Sequence, residues 1–534
     1  MTDPYLSHTL RVLMGARQDL RAQGFHLAEN ERALVLWLVR HGLVEYSDLL
    51  SHAPRNNDLL EWLAAPSREV PGLSRIELAI WDGNRSHRRF WPMPASARLY
   101  RQWLRMFWPG EEMGLPGRDA FGPGGARDRS EAARREVRNR PFGVNLVGYA
   151  TYALGIGEDV RSTYLALGEA GIPTALIGFD PGDIDHRRDF SLAGEVADEA
   201  PYAISVVCMT AEETARYWLD GGALTLEGTY VVGYWPWELP RWPEQWREIV
   251  DLVDEIWVAS RHIADAVRPS LMELGTPEKP LHILPLCVDE PEGIVPPDAE
   301  SRAATRHRFG LDPDATQFLV SFDLNSSIHR KNPWGALAAF RDAFPLERGP
   351  DGGDRVGLVI KTFPPNGPDP EWARLKQEVA DDPRIVVIEA NLGRPDLLAL
   401  YGACDVYLSL HRAEGFGRCL AECLQLGLDV IATDWSGNTD FCHGPLAHPV
   451  GYELVPLSEG QYVHWQDQVW AEPDASDAVA RIREVHGERL RAPGERRAFA
   501  GRYRDMFSAS ARSRDYRARL EAIRASTEKA AGQG

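Results

Sequence analysis

The stretch DVYLSLHRAEGFGRCLAECLQLGLDVIATD, residues 405–434, decides the fold. Its apolar opening, DVYLSL, predicts a strand, and HRAEGFG reads as the loop that leaves it. RCLAECLQLG places its apolar residues at helical spacing, with Gly427 where a helix would end. LDVIATD is the next strand. Strand, helix, strand is the unit of a parallel sheet, in which ligands bind beyond the carboxyl ends of the strands. Glu414 falls beyond such a strand tip. Glu422 lies five helical residues past Gly417, about 7.5 Å further along the axis. Around them Gly415, Phe416 and Gly417 offer backbone N–H groups that a ligand can approach without a Cβ in the way.

The same alternation extends outward. GVNLVGYA, PTALIGF, YAISVVCM, TYVVGYW, EIWVAS and LHILPLCV punctuate residues 142–300. TQFLVSFDL, RVGLVIKTF, RIVVIEANL and the opening stretch punctuate residues 301–480. The pattern predicts an α/β chain of two facing, doubly wound Rossmann-like domains, hinged near PPDAESRAATRHRFGLDPDA, residues 296–315. Residues 1–108 read as a helical accessory domain, with Asn30 as an N-cap and Gly42 as a helix end. Residues 109–141, rich in Gly, Pro and charge, read as a linker that closes with a short polar helix. Residues 481–534 read as charged helices that cross back to the first Rossmann-like domain.

The net charge of −19 opposes nucleic-acid binding, which needs a basic surface. That charge is uneven: residues 1–140 hold 21 Arg and no Lys against 17 acidic residues, a balance of +4, leaving −23 for the rest. No apolar run reaches the length of a membrane span, and MTDPYLSHTLRV has neither the charged start nor the apolar core of a secretory signal, so a cytoplasmic protein is expected. The six cysteines lack C-x-x-C or zinc spacing and read as buried reduced thiols.

Three other loops at strand ends are informative. VNLVGYATYALGIGEDVRS brings Gly155, Gly157 and Glu158 to a helix start, whose unpaired N–H groups attract phosphate. A dinucleotide fingerprint is only partly met. Asp180 lies 23 residues after Gly157, but the loop is too long and Val160 replaces the third glycine. SFDLNSSIHRKNP sets Arg330 and Lys331 before a helix opened by Pro333, a phosphate seat or else a solvated basic pair. Lys361, one of only five lysines, ends the strand GLVIK at the same rim, or caps it in solvent. TYVVGYWPWELPRW clusters Trp235, Trp237 and Trp242 about Glu238, which suits sugar stacking and hydroxyl binding as well as core packing. Asp183 and Asp185 imitate a D-x-D metal triplet but lack a fuller ligand set.

The sequence resembles family 4 retaining glycosyltransferases of the two-Rossmann-domain architecture called GT-B. Glu414 and Glu422 match their E-x7-E signature, while FDLNSSIHRKNP before it and WAEPD after it look like the bacterial members that build surface polysaccharides. The resemblance covers about residues 142–480. It implies a nucleotide-diphosphate sugar donor, a carbohydrate or glycolipid acceptor, and no metal or other cofactor. In that family Glu414 would contact the donor sugar and Glu422 the ribose; residues 415–417, Arg330 and Lys331 would hold the sugar and phosphates, with GIGE closing over them. The sequence departs from the usual pattern where Arg418 and Cys419 replace the small residues of many members, leaving Arg418 either on a phosphate or in solvent; Glu238 stands where members often carry a catalytic or acceptor-orienting residue, commonly His.

Other enzymes share this shape. A sugar-nucleotide epimerase would need no acceptor and a phosphorylase would need inorganic phosphate; a non-catalytic sugar- or partner-binding protein would use residues 1–140. Between Arg75 and Trp108 seven arginines interleave with Trp81, Trp91, Trp103 and Trp108. This pattern suits peripheral contact with the inner membrane face, an acceptor or a protein, and equally a helical domain with solvated arginines.

Overall fold

The computed structural model describes residues 6–46, 49, 59–108, 140–180, 189–346, 355–365, 367–487 and 493–532. The expected linker helix before residue 140 and the Asp183–Asp185 triplet lie outside the described residues.

Two six-stranded parallel sheets form the body. The first contains β1 (Val144–Gly148), β2 (Thr174–Gly178), β3 (Ile204–Cys208), β4 (Tyr230–Tyr234), β5 (Glu255–Val258) and β6 (Leu281–Ile283), in the order β2-β1-β3-β4-β5-β6. The second contains β7 (Thr316–Phe322), β8 (Val356–Thr362), β9 (Ile385–Glu389), β10 (Val406–Ser409), β11 (Asp429–Thr433) and β12 (Ala447–Val450), in the order β12-β11-β10-β7-β8-β9. Every residue of β1, β3, β8, β10 and β11 is buried, as expected of strands covered on both faces by helices. The order of the second sheet reverses between β7 and β10, which pair directly at Val406–Phe318 and Tyr407–Leu319. The two loops that leave this switch point carry Arg330 with Lys331 and Glu414. An antiparallel hairpin, β13 (Tyr452–Pro456) and β14 (Val469–Pro473), follows the second sheet. This is the GT-B arrangement of two Rossmann-like domains.

The last described helix lies on the first sheet. Helix Ala509–Gly532 sets Tyr516 Oη 3.3 Å from Tyr234 Oη, and Arg519 Nε donates to the buried Glu255 at 2.6 Å. The N-terminal helices pack on the same domain: Gly15 of helix His8–Ala16 lies so close to the backbone at Gln245 that a Cβ would stand 2.6 Å from its carbonyl oxygen.

Several local expectations change. Asn30 does not cap with its side chain; it closes a 3-10 turn, and its Nδ2 donates to Gly24 O at 2.9 Å. Gly42 does not end the helix, because the chain runs through a π-helical turn, Leu38–Gly42, into Leu43–Glu45. Within the expected hinge, Ala299–Arg308 is helical. Asp298 caps it by accepting from Ser301 N at 2.8 Å, and Arg306 anchors it to Asp405 at 2.7 Å. Among the described residues no helix is long and apolar enough to cross a membrane.

Candidate active site

A cavity of about 650 Å³ lies between the two domains. Its second-domain wall grows from the ends of β7 and β10. After β10 the loop is held from behind: the buried His411 ring bridges Ser409 Oγ at 2.9 Å and Asn438 Oδ1 at 3.1 Å, while Glu414 N donates to Ser436 Oγ at 2.9 Å. Gly415 meets the other domain so closely that a Cβ would lie 2.6 Å from Trp237 O, and Ser260 Oγ donates to Gly415 O at 2.6 Å. Gly417, at φ 97, then makes the left-handed turn that starts helix Arg418–Gln425.

After β7 the short helix Ile328–Lys331 ends at Asn332, which is left-handed at φ 51. Asn332 Oδ1 accepts from Gly335 N at 3.1 Å and its Nδ2 donates to Leu410 O at 2.9 Å, locking the two loops together. Arg330 is buried. It donates to Ala413 O at 2.8 Å and Ser326 O at 3.1 Å, and its Nη1 lies 3.3 Å from Glu414 Oε2. Lys331 Nζ bonds Glu414 Oε1. Burial alone would raise the Glu414 carboxyl, but Lys331 and Arg330 outweigh it and hold it at about 2. The two cations of the expected phosphate seat and the expected sugar contact therefore form one cluster on the cavity wall. Lys361 does not reach solvent: it is 1% exposed, lines the cavity, and its ammonium lies 3.7 Å over the Phe363 ring.

Glu422 occupies the next turn of the wall in different company. Its Oε1 accepts from Arg394 Nη2 at 2.8 Å, and Arg394 also bonds Glu290 at 2.8 Å and lies 3.6 Å from Glu158. Glu158, one turn into helix Gly155–Glu169, accepts from Arg161 at 2.7 Å; its carboxyl is held at about 2 because Arg394 and Arg161 outweigh its burial. Gly157 lies where a Cβ would meet Tyr152 O at 2.4 Å, whereas Gly155 is open on the cavity wall.

Arg418 does not stand free in solvent but lines the cavity. It is half-buried and spans the domains, donating to Asp159 Oδ1 at 2.7 Å, Ser162 Oγ at 2.9 Å and Cys287 O at 3.1 Å. A guanidinium so engaged links the two domains, and it does so on the cavity wall. Burial pushes Asp159 upward from its ordinary range, partly offset by Arg418.

Across the cleft the tryptophans form core, not an open sugar platform. Trp235, Trp237 and Trp242 are buried, and with Trp246 they pack at centroid distances of 4.8–6.3 Å. Glu238 does reach the cavity wall and accepts from Tyr462 Oη at 2.9 Å. Of the six free cysteines four are buried, while Cys419 and Cys442 are half-buried.

Sequence reasoning missed Arg394, Glu290, Asp159 and Tyr462. Arg394 opens helix Arg394–Ala403 just before a Pro, after the strand end at Glu389. The strand-end rule that singled out Lys361 would have found it; nothing in the spacing pointed to Tyr462.

No protein-family model matches the chain, and no curated protein matches it. Among solved structures it is similar to a glycosyltransferase from Rickettsia africae, at 14% identity over 72% of this chain and 99% of that one, with a TM-score of 0.50. Sucrose-phosphate synthase from Thermosynechococcus elongatus aligns at 14% identity over 72% of this chain and all of that one, TM-score 0.49. HepE of Anabaena, solved with UDP and glucose, aligns at 14% over 71% of this chain and all of its own, TM-score 0.46. Identities this low speak to the fold alone. The chain has the GT-B fold, with an ionised carboxylate and two cations gathered at the switch point of its second sheet.

Proposed function

We propose that the chain is a retaining glycosyltransferase of the family 4 type, which moves a sugar from a nucleotide-diphosphate donor to a carbohydrate or glycolipid acceptor in bacterial surface-polysaccharide synthesis. The observation that carries this reading is the Glu414–Arg330–Lys331 cluster facing the interdomain cavity. In this reading a diphosphate displaces Glu414 from the two cations, and the released carboxylate contacts the donor sugar. Arg330, Lys331 and the N–H groups at Gly415–Gly417 then stabilise the charge that develops as the sugar–phosphate bond breaks. A donor phosphate oxygen takes the acceptor proton, and the reading requires no metal or other cofactor. Glu422 keeps one oxygen on Arg394 and offers the other to the ribose. Lys361 adds a cation to the donor side, and Glu238 serves the acceptor side.

The enzyme would work in the cytoplasm, with residues 75–108 as its contact to the inner membrane face or a protein. Exposed Phe90, Leu99 and Phe107 beside exposed Arg85, Arg89 and Arg98 support that contact.

The test is thermal unfolding with UDP, GDP, dTDP, CMP and NAD, each at high excess. A ligand at about 100 times its Kd adds roughly 2.7 kcal/mol to the state it binds. Stabilisation by one nucleoside diphosphate is expected and names the donor class; stabilisation by NAD alone overturns the reading. Retention is checked separately, by the anomeric configuration of the product.

A further inference from the structure

Between β13 and β14 the chain leaves the second domain as a loop, residues 457–468, and lies on the 235–246 segment of the first. Three side chains make the dock. Tyr462 Oη donates to Glu238 Oε2 at 2.9 Å. The His464 ring packs edge-on to Trp246 at 5.1 Å, with Trp237 at 6.2 Å and Glu212 Oε2 3.8 Å from its Nε2. Gln468 holds the backbone of Arg241 both ways, accepting from its N at 3.2 Å and donating to its O at 2.7 Å. His464 and Asp467 sit at φ 50 and 56, a backbone conformation that non-glycine residues keep only where their surroundings impose it.

On its other side Tyr462 meets the donor machinery. The Arg330 guanidinium lies 5.6 Å from its ring centroid, and Ser327 Oγ donates to Gln461 O at 2.8 Å. Tyr462 therefore touches both Arg330, which is paired with Glu414, and Glu238 on the opposite wall. Both Tyr462 and Glu238 line the cavity. Burial raises the phenol well above its usual range, which keeps the hydroxyl a proton donor at neutral pH.

We infer that Tyr462 is a positioning residue for the acceptor: it ties one oxygen of Glu238, leaves the other for an acceptor hydroxyl, and so makes acceptor binding conditional on contact between the two domains. The inference rests on the transferase reading. A carboxylate on a loop that loses such a bond also loses its orientation, and hydrogen bonds to charged groups are worth about a ten- to hundredfold change in an equilibrium.

The experiment uses the full chain, a set of UDP-, GDP- and dTDP-sugars as donors and p-nitrophenyl glycosides as acceptor probes, with nucleoside diphosphate release as the signal. Tyr462→Phe removes only the hydroxyl. It is expected to keep the thermal shift with the nucleoside diphosphate while raising the acceptor KM at least tenfold, and to add little once Glu238→Ala is present. Gln468→Ala, which loosens the dock from outside the cavity, should raise the same KM less, and serves if Tyr462→Phe fails to fold. An acceptor KM within twofold of the native value, or a Tyr462→Phe effect undiminished in the Glu238→Ala background, overturns the proposal. A native protein that is stabilised by no nucleoside diphosphate and turns over no nucleotide sugar overturns the transferase reading itself, and this inference with it.

Discussion

Glu414 and Glu422 are eight residues apart on one loop and helix, yet they keep opposite company. Glu414 faces two cations of its own domain, Arg330 and Lys331, within a single switch point. Glu422 shares one arginine, Arg394, with Glu290 and Glu158, both from the first-domain half of the chain. The first cluster is cation-rich and suits an arriving anion. The second is acid-rich around one guanidinium and ties the domains together. Charge matching within one domain thus gathers cations on the cavity wall, whereas charge matching across the cleft links the two domains.

The largest expected effect separates these ends. Glu414→Ala should lower transfer at least a hundredfold while nucleoside diphosphate binding stays as tight or tightens, because Arg330 and Lys331 lose their competitor; isothermal titration beside a turnover assay reads both. Normal turnover by that variant would sink the sugar-contact role.

Arg394→Ala takes the shared guanidinium from Glu422, Glu290 and Glu158, of which Glu158 keeps Arg161, and breaking a buried pair in this way costs about 3–5 kcal/mol. Urea unfolding should show that loss, and a change under about 1 kcal/mol would show that the second cluster is no clasp.

Acid should act through both clusters. Glu414 and Glu158 are held at about 2 against an ordinary 4.5, so their stabilisation is complete above about pH 5 and lost as pH falls toward 2. Each contributes up to about 3 kcal/mol by that shift. Glu290 and Asp159, raised by burial, work against this trend. Glu414→Gln should flatten the stability–pH curve between pH 5 and 2, which denaturation at stepped pH would measure.

Lys331→Ala should do least to the fold, because Lys331 is partly exposed and Arg330 still faces Glu414. Nucleoside diphosphate affinity should nonetheless fall about tenfold, the scale of one charge-assisted contact. An unchanged affinity would remove Lys331 from the phosphate seat.

The same contrast explains what was legible. Arg330, Lys331 and Glu414 sit at strand exits, and the parallel pattern alone brings such exits to one edge of a sheet. The bond from Arg418 to Asp159 was not legible because Asp159 is 259 residues away on the other domain. Trp235, Trp237 and Trp242 looked suited to sugar as well as to core, but the chain folds back so that Trp246 packs edge-on to Trp237 and Trp242, and all four are buried. Asn30 stands at the N-cap position as expected but without the side-chain bond, and Gly42 was misjudged for a local reason: a π-helical turn carried the backbone past it.

The sequence by itself determined the two parallel sheets, their switch-point loops and the identity of the charges there, because hydrophobic period and strand-end chemistry are properties of a few neighbouring residues. Only the tertiary structure decided which charges meet across the cleft. Arg394 with Glu158 and Glu290, Arg418 with Asp159, and Tyr462 with Glu238 are set by how one domain docks on the other, and that docking depends on shape and burial along the whole interface.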